Sequence, residues 1–271
     1  MTTPLRYESL VDRVVLVTGA SRGIGRAIAL AFGAQGALVL VNSRTQDGAM
    51  TTVEAIVDAG GSAEAAVADV GDPAATRALI AGIVARHRRL DVLVSNSAVN
   101  PLVPLLEVTQ QEWEESQRVN EWALFHCGQP AARQMVAQGG GSIVVIGSPA
   151  AEETYDNQTP YCASKAGLQM LAMGMAWEWG PLGVRTNVVQ PGWIETALNH
   201  DYLWSDPDVR DRVIKTIPLR RTGLPDDVAP AVLWLCSDDA AYVNGAIIRV
   251  DGGLLAGRPT IVSKRFEWAR L

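Results

Sequence analysis

Tyr161 and Lys165 stand four residues apart where a stretch with helical spacing begins, so a phenol and an ammonium project from one helix face. Pro160, just ahead, suits a helix's first turn. A free tyrosine, with a pKa of about 10, is a poor base at neutral pH. A neighbouring cation stabilises the phenolate and brings it toward the working range, which equips the pair for proton transfer. Ser148 follows the apolar run 143–146, and its hydroxyl is suited to holding an oxygen on which charge develops. Taken alone, Tyr-x-x-x-Lys also describes an ordinary helix surface, so its weight depends on the residues around it.

A second chemistry-bearing cluster lies near the start of the chain. Thr18-Gly19-Ala20-Ser21-Arg22-Gly23-Ile24-Gly25 follows the apolar run 14–18 and opens into a helical stretch at 26–32. Glycines in that position permit a tight turn and close backbone approach to a pyrophosphate, which then rests on exposed helix N–H groups. The strand-before, helix-after context is what gives a glycine cluster meaning. After the second run the chain reads Val41-Asn42-Ser43-Arg44. No carboxylate stands there to accept from a ribose 2′-hydroxyl or to repel a 2′-phosphate. Arg44 can pair with such a phosphate, Ser43 can donate to it, and Arg22 points the same way, so NADP is preferred and NAD stays possible. The competing reading, two solvated surface arginines, is left open.

These groups need a scaffold that gathers them, and the pattern of the chain supplies one. Short β-branched runs at 14–18, 38–42, 92–95, 143–146, 186–190 and 246–250 alternate with Ala-rich stretches of helical spacing. The runs are nearly continuous in apolar character, as parallel strands buried on both faces require. The expectation is a doubly wound α/β Rossmann sheet of about seven strands with helices on both faces, forming one domain over 1–253 with a tail at 254–271. Ligands in such sheets sit beyond the carboxyl ends of the strands. The 271 residues, 48% hydrophobic, suffice for one large core, and the net charge of −6 has no concentrated basic face for nucleic acid. Cys127, Cys162 and Cys236 are far apart and read as reduced thiols. With no membrane-length apolar stretch and no opening signal, a cytoplasmic protein is expected. The closing Ala269-Arg270-Leu271 loosely resembles a peroxisomal import tripeptide.

In order along the chain come the glycine loop, Asp69-Val70, Ser95-Asn96-Ser97-Ala98, Asn120, Ser148, Tyr161, Lys165 and Pro191-Gly192. This set resembles the short-chain dehydrogenase/reductase family over roughly 10–253. The resemblance implies an oxidoreductase acting on CH–OH groups, with Asn120, Ser148, Tyr161 and Lys165 as a catalytic tetrad in which Asn120 anchors a relay water. It further implies Asp69 at the adenine, Asn96 and Ala98 at the adenosine ribose, Lys165 at the nicotinamide ribose, and Ile194 and Thr196 at the carboxamide. Members are mostly dimers or tetramers, so a homo-oligomer is expected. The family commonly has Asn-Asn-Ala-Gly where this chain has Ser95-Asn96-Ser97-Ala98; the methyl of Ala98 would crowd the cofactor.

Substrate choice in this family is made by the loop before Tyr161, the loop after Pro191-Gly192, and the tail. The first loop is rich in carboxylates and amides, and Glu152, Glu153 and Asn157 are candidates for binding hydroxyls, with Trp193 as a stacking face for a sugar ring. It resembles the loop of bacterial sugar 1-dehydrogenases. His200, Tyr202 and Trp204 belong to the second loop, and Arg258, Lys264, Arg265 and Arg270 would give the tail a preference for anionic sugars. The expected function is NADP(H)-linked oxidation of a sugar or polyol, aldose to lactone. The rivals are a ketoreductase of 3-oxoacyl thioesters or other small carbonyls, and a non-catalytic nucleotide sensor.

Overall fold

The computed structural model describes residues 6–197, 199 and 206–257. Seven strands, β1 (Val14–Val17), β2 (Leu38–Ser43), β3 (Ser62–Val67), β4 (Val92–Ser95), β5 (Gly141–Ile146), β6 (Val184–Pro191) and β7 (Ile247–Val250), form one sheet in the order β3-β2-β1-β4-β5-β6-β7. Every pairing is parallel. The four residues of β1 and of β4 are all buried, which is why they read as unbroken apolar runs rather than alternating ones. β3 is different. It is an edge strand of sequence Ser-Ala-Glu-Ala-Ala-Val, with no β-branched residue before Val67, so it carries little strand signal of its own.

Helices cover both faces. One cluster of buried side chains centres on Val15, Val17, Ile28, Phe32 and Val39, and a second on Leu16, Leu40, Leu93, Leu124 and Ile143. Alternate residues of a single strand, Val15 and Val17 against Val14 and Leu16, therefore feed opposite cores. The helices are α1 (Gly23–Ala34), α2 (Gln46–Asp58), α3 (Pro73–His87), α4 (Gln110–Gln117), α5 (Ala123–Ala137), α6 (Thr159–Trp179), α7 (Pro207–Thr216) and α8 (Pro225–Cys236). A π-helical turn, Arg118–Trp122, joins α4 to α5. Chain order reverses between β1 and β4, and that reversal opens a crevice at the carboxyl ends of the strands. Among the described residues no helix is long and apolar enough to cross a membrane. His200, Tyr202, Trp204 and the tail cations lie outside the described residues.

Candidate active site

A cleft of about 470 Å³ occupies that crevice. Its floor begins with the glycine loop. Gly19 and Gly23 have φ of 61° and 57°, a region that strains any side chain. α1 starts at Gly23, so the end of the loop is itself the first helical turn, and its Gly23 and Ile24 line the cleft. At Gly25 a Cβ would fall 2.4 Å from the Gly19 carbonyl oxygen and 2.5 Å from Asn96 Nδ2. A Cβ on Gly23 would lie 3.4 Å from Thr196, across the cleft. Bare backbone therefore lines the place where a pyrophosphate would rest, and Ser21, Arg22 and Ile24 line it too.

Asn96 holds the loop from the other side. Its Nδ2 donates to the carbonyls of Thr18 and Gly19 at 2.9 and 3.1 Å, and its N–H donates to Thr18 Oγ1 at 2.9 Å. Ala98 lines the cleft and is not among the residues with positive φ, so its backbone has no need of glycine. Ser43, the last residue of β2, and Arg44 after it line the cleft, with the Arg44 and Arg22 side chains exposed. Asp69 and Val70 follow β3. The Asp69 carboxyl is raised by burial, yet the Gly71 N–H and Arg118 guanidinium, with Arg44 nearby, hold it below its usual range. Arg118 itself reaches Asp69 at 2.9 Å and Glu115 at 2.8 Å.

The catalytic candidates come from the end of β5, the start of α6 and the π-turn. Ser148 accepts from the Ala150 N–H at 3.1 Å, which leaves its own proton to donate. Tyr161 and Lys165 sit in the first turns of α6, with Lys165 Nζ 5.6 Å from the Tyr161 ring centroid. Lys165 is 2% exposed and donates to the Ile146 carbonyl at 3.0 Å. Burial draws its pKa down to about 8. Ser148, Tyr161 and Lys165 all line the cleft. Asn120 does not. Its Nδ2 donates to the Val99 carbonyl and to Ser164 Oγ, each at 2.9 Å, and its Oδ1 accepts from the Val99 N–H at 2.8 Å. Ser164 Oγ in turn donates to the Tyr161 carbonyl at 2.7 Å. Asn120 thus ties the segment after β4 to the turn that carries Tyr161.

Pro191, the last residue of β6, and Gly192, Ile194 and Thr196 beyond it also line the cleft. Asn199, which spacing did not single out, accepts from the Thr196 N–H at 3.1 Å and donates to the Ile194 carbonyl at 2.8 Å, fixing that turn. Asn42 is a second unforeseen clamp. Buried at the end of β2, it accepts from the Gly19 N–H at 3.3 Å and donates to the Ala66 carbonyl at 2.8 Å.

The substrate loop is redistributed. Trp193 lines the cleft, packed edge-to-face with Tyr155 at 5.6 Å. Glu152, Glu153 and Asn157 are not among the lining residues. The Glu152 carboxylate is taken by Arg249 of β7 and by Gln190 at 3.1 Å. Asn157 takes a φ of 61°, and its carbonyl accepts from the Val103 N–H at 2.9 Å. Gln158 and Asn100 line the cleft instead. Neither was a candidate on sequence grounds; the only signal was that Gln158 closes the same polar loop.

The family model described as enoyl-(acyl carrier protein) reductase, one of those for short-chain dehydrogenases/reductases, matches residues 19–255. L-rhamnose 1-dehydrogenase (NAD(P)(+)) of Azotobacter vinelandii is 40% identical over 250 residues, covering 90% of this chain and 97% of that one. D-threitol dehydrogenase of Mycolicibacterium smegmatis is 36% identical over 244 residues, covering 90% and 93%. Among solved structures, a candidate NAD(P)-dependent gluconate 5-dehydrogenase from Beutenbergia cavernae with bound NADP superposes with a TM-score of 0.89 at 38% identity, covering 92% of this chain and 99% of that one.

Proposed function

This chain belongs to the short-chain dehydrogenase/reductase family, and on that footing we propose that it oxidises a sugar or polyol at a carbinol carbon with NADP⁺ as the preferred acceptor and NAD⁺ as an alternative. The observation that carries this reading is the joint lining of one cleft by the glycine loop and by Ser148, Tyr161 and Lys165. The relatives named for L-rhamnose and D-threitol support the substrate class, and the neighbour holding NADP supports the cofactor.

The residues present fit a dinucleotide. Glycine backbone replaces side chains where a pyrophosphate would lie, and two exposed arginines, with no acidic residue at the end of β2, suit a 2′-phosphate. When bound, the nicotinamide supplies the hydride acceptor. Ser148 donates to the reacting oxygen. Tyr161, held as phenolate by the Lys165 ammonium, removes the hydroxyl proton as the carbonyl forms. Lys165 keeps its position through the Ile146 carbonyl, and Asn120 acts by fixing the backbone around Tyr161.

We also place the protein in the cytoplasm as a homo-oligomer. Three free, buried cysteines suit a reducing compartment. Met170 and Trp177, seven residues apart on α6, are 71% and 85% exposed, an apolar face that a second copy would cover.

The test is NADP⁺ reduction across neutral, acidic and deoxy sugars and simple alcohols. We expect turnover with a sugar, reduced about 100-fold or more by Tyr161→Phe. Silence with every sugar, with NADPH consumed by a 3-oxoacyl thioester, would replace this reading by the ketoreductase.

A further inference from the structure

The two ends of the cleft differ in charge. Among the described lining residues the charged side chains are Arg22, Arg44, Asp69 and Lys165. Arg44 and Asp69 follow β2 and β3, whereas Ser148 follows β5, three strand positions from β2 and so roughly 14 Å away. Lys165 is spent on the Ile146 carbonyl and the Tyr161 ring. The segment 198–205, which continues the chain past Thr196, contains Asp201 but no lysine or arginine. Among the described residues, then, a carboxylate-bearing substrate would meet no dedicated cation on the β5 side of the cleft.

A pair of amides lines the same cleft. Gln158 is the N-cap of α6, one turn ahead of Tyr161, and is 8% exposed. Asn100 Nδ2 donates to Gln158 Oε1 at 3.0 Å. Asn100 Oδ1 is buried with no partner, and no hydrogen bond from Gln158 Nε2 is found among the described residues. The pair thus has one acceptor and one amino group unspent, and turning both amides over leaves the same inventory. Two adjacent hydroxyls, one donating and one accepting, match that inventory. A buried carbonyl oxygen without a donor is costly, and a substrate hydroxyl would relieve it.

We infer that Asn100 and Gln158 are the specificity-determining residues, reading a hydroxyl pair beside the reacting carbon of an uncharged aldose or polyol rather than an aldonate. The inference rests on the sugar reading above and narrows it.

The experiment compares kcat/KM with NADP⁺ for the best neutral substrate among L-rhamnose, D-glucose and D-threitol, for its analogue lacking the hydroxyl next to the reacting carbon, and for D-gluconate. Wild type should favour the neutral substrate over D-gluconate by about 100-fold and over the deoxy analogue by about 10- to 100-fold. In Gln158→Leu and Asn100→Leu, and in the isosteric Gln158→Glu, the preference over the deoxy analogue should fall toward unity, chiefly through KM. NADPH binding, followed by its fluorescence, reports whether each variant is folded. Equal or better turnover of D-gluconate would overturn the neutral class while leaving a sugar dehydrogenase. Unchanged discrimination in folded variants would overturn the role of the amides. Turnover of no sugar would overturn both this inference and the reading beneath it.

Discussion

Lys165 carries an ammonium with 2% of its surface exposed, and burial draws its pKa from 10.5 to about 8. Below pH 8 the charge is present in both folded and unfolded chains, so the folded state bears the whole desolvation penalty, about 3 kcal/mol. Between pH 8 and 10.5 the unfolded chain binds the extra proton, and this group's contribution to stability rises with pH. Lys165→Met should therefore raise the melting temperature at pH 7 by about 5 °C, after about 1 kcal/mol is lost with the Ile146 hydrogen bond, while turnover collapses. The gain should shrink as the pH passes from 8 to 10.5. Scanning calorimetry across that range checks it, and a variant that melts lower at pH 7 would contradict it. At this scale the residue types were legible and their partners were not. Glu152 looked like a hydroxyl ligand until Arg249, distant in sequence, took its carboxylate.

Among the elements, α1 packs closely against the β1–α1 turn. Gly25→Ala would press a methyl onto the Gly19 carbonyl and Asn96 Nδ2, the group that joins this turn to the end of β4. We expect a loss of about 1–3 kcal/mol in stability, read by urea denaturation, and at least a tenfold weaker NADP⁺ by titration calorimetry. Ordinary affinity and stability in that variant would mean the turn yields without consequence. The alternation of strand and helix was readable because buried parallel strands leave continuous apolar runs. β3 had no such run, being a small-residue edge strand, and the π-turn at Arg118–Trp122 has no sequence period of its own.

At the scale of the whole molecule, the exposed apolar surface bears on assembly. Trp122, Phe125, Met170 and Trp177 leave large apolar surface exposed around α5 and α6. Trp177→Glu should lower the mass measured by light scattering toward that of a single chain, since a charge buried at an apolar interface is strongly disfavoured. An unchanged mass would move the contact to another face. The parallel sheet and its two cores already satisfy the interior, so among the described residues this exposed face belongs to no intramolecular layer.

The sequence by itself determined the sheet-and-helix alternation, the glycine loop, and the order of Ser148, Tyr161 and Lys165, because each depends on local spacing: apolar runs, helix periodicity, and a turn that only glycine permits. Only the tertiary structure decided which polar side chains face the cleft. Glu152, Gln158 and Asn100 are equally polar in sequence. Whether each meets the cleft, a cation or another amide depends on which strands and loops the β5–β6–β7 order and the α6 N-terminus bring together, and those partners lie far along the chain.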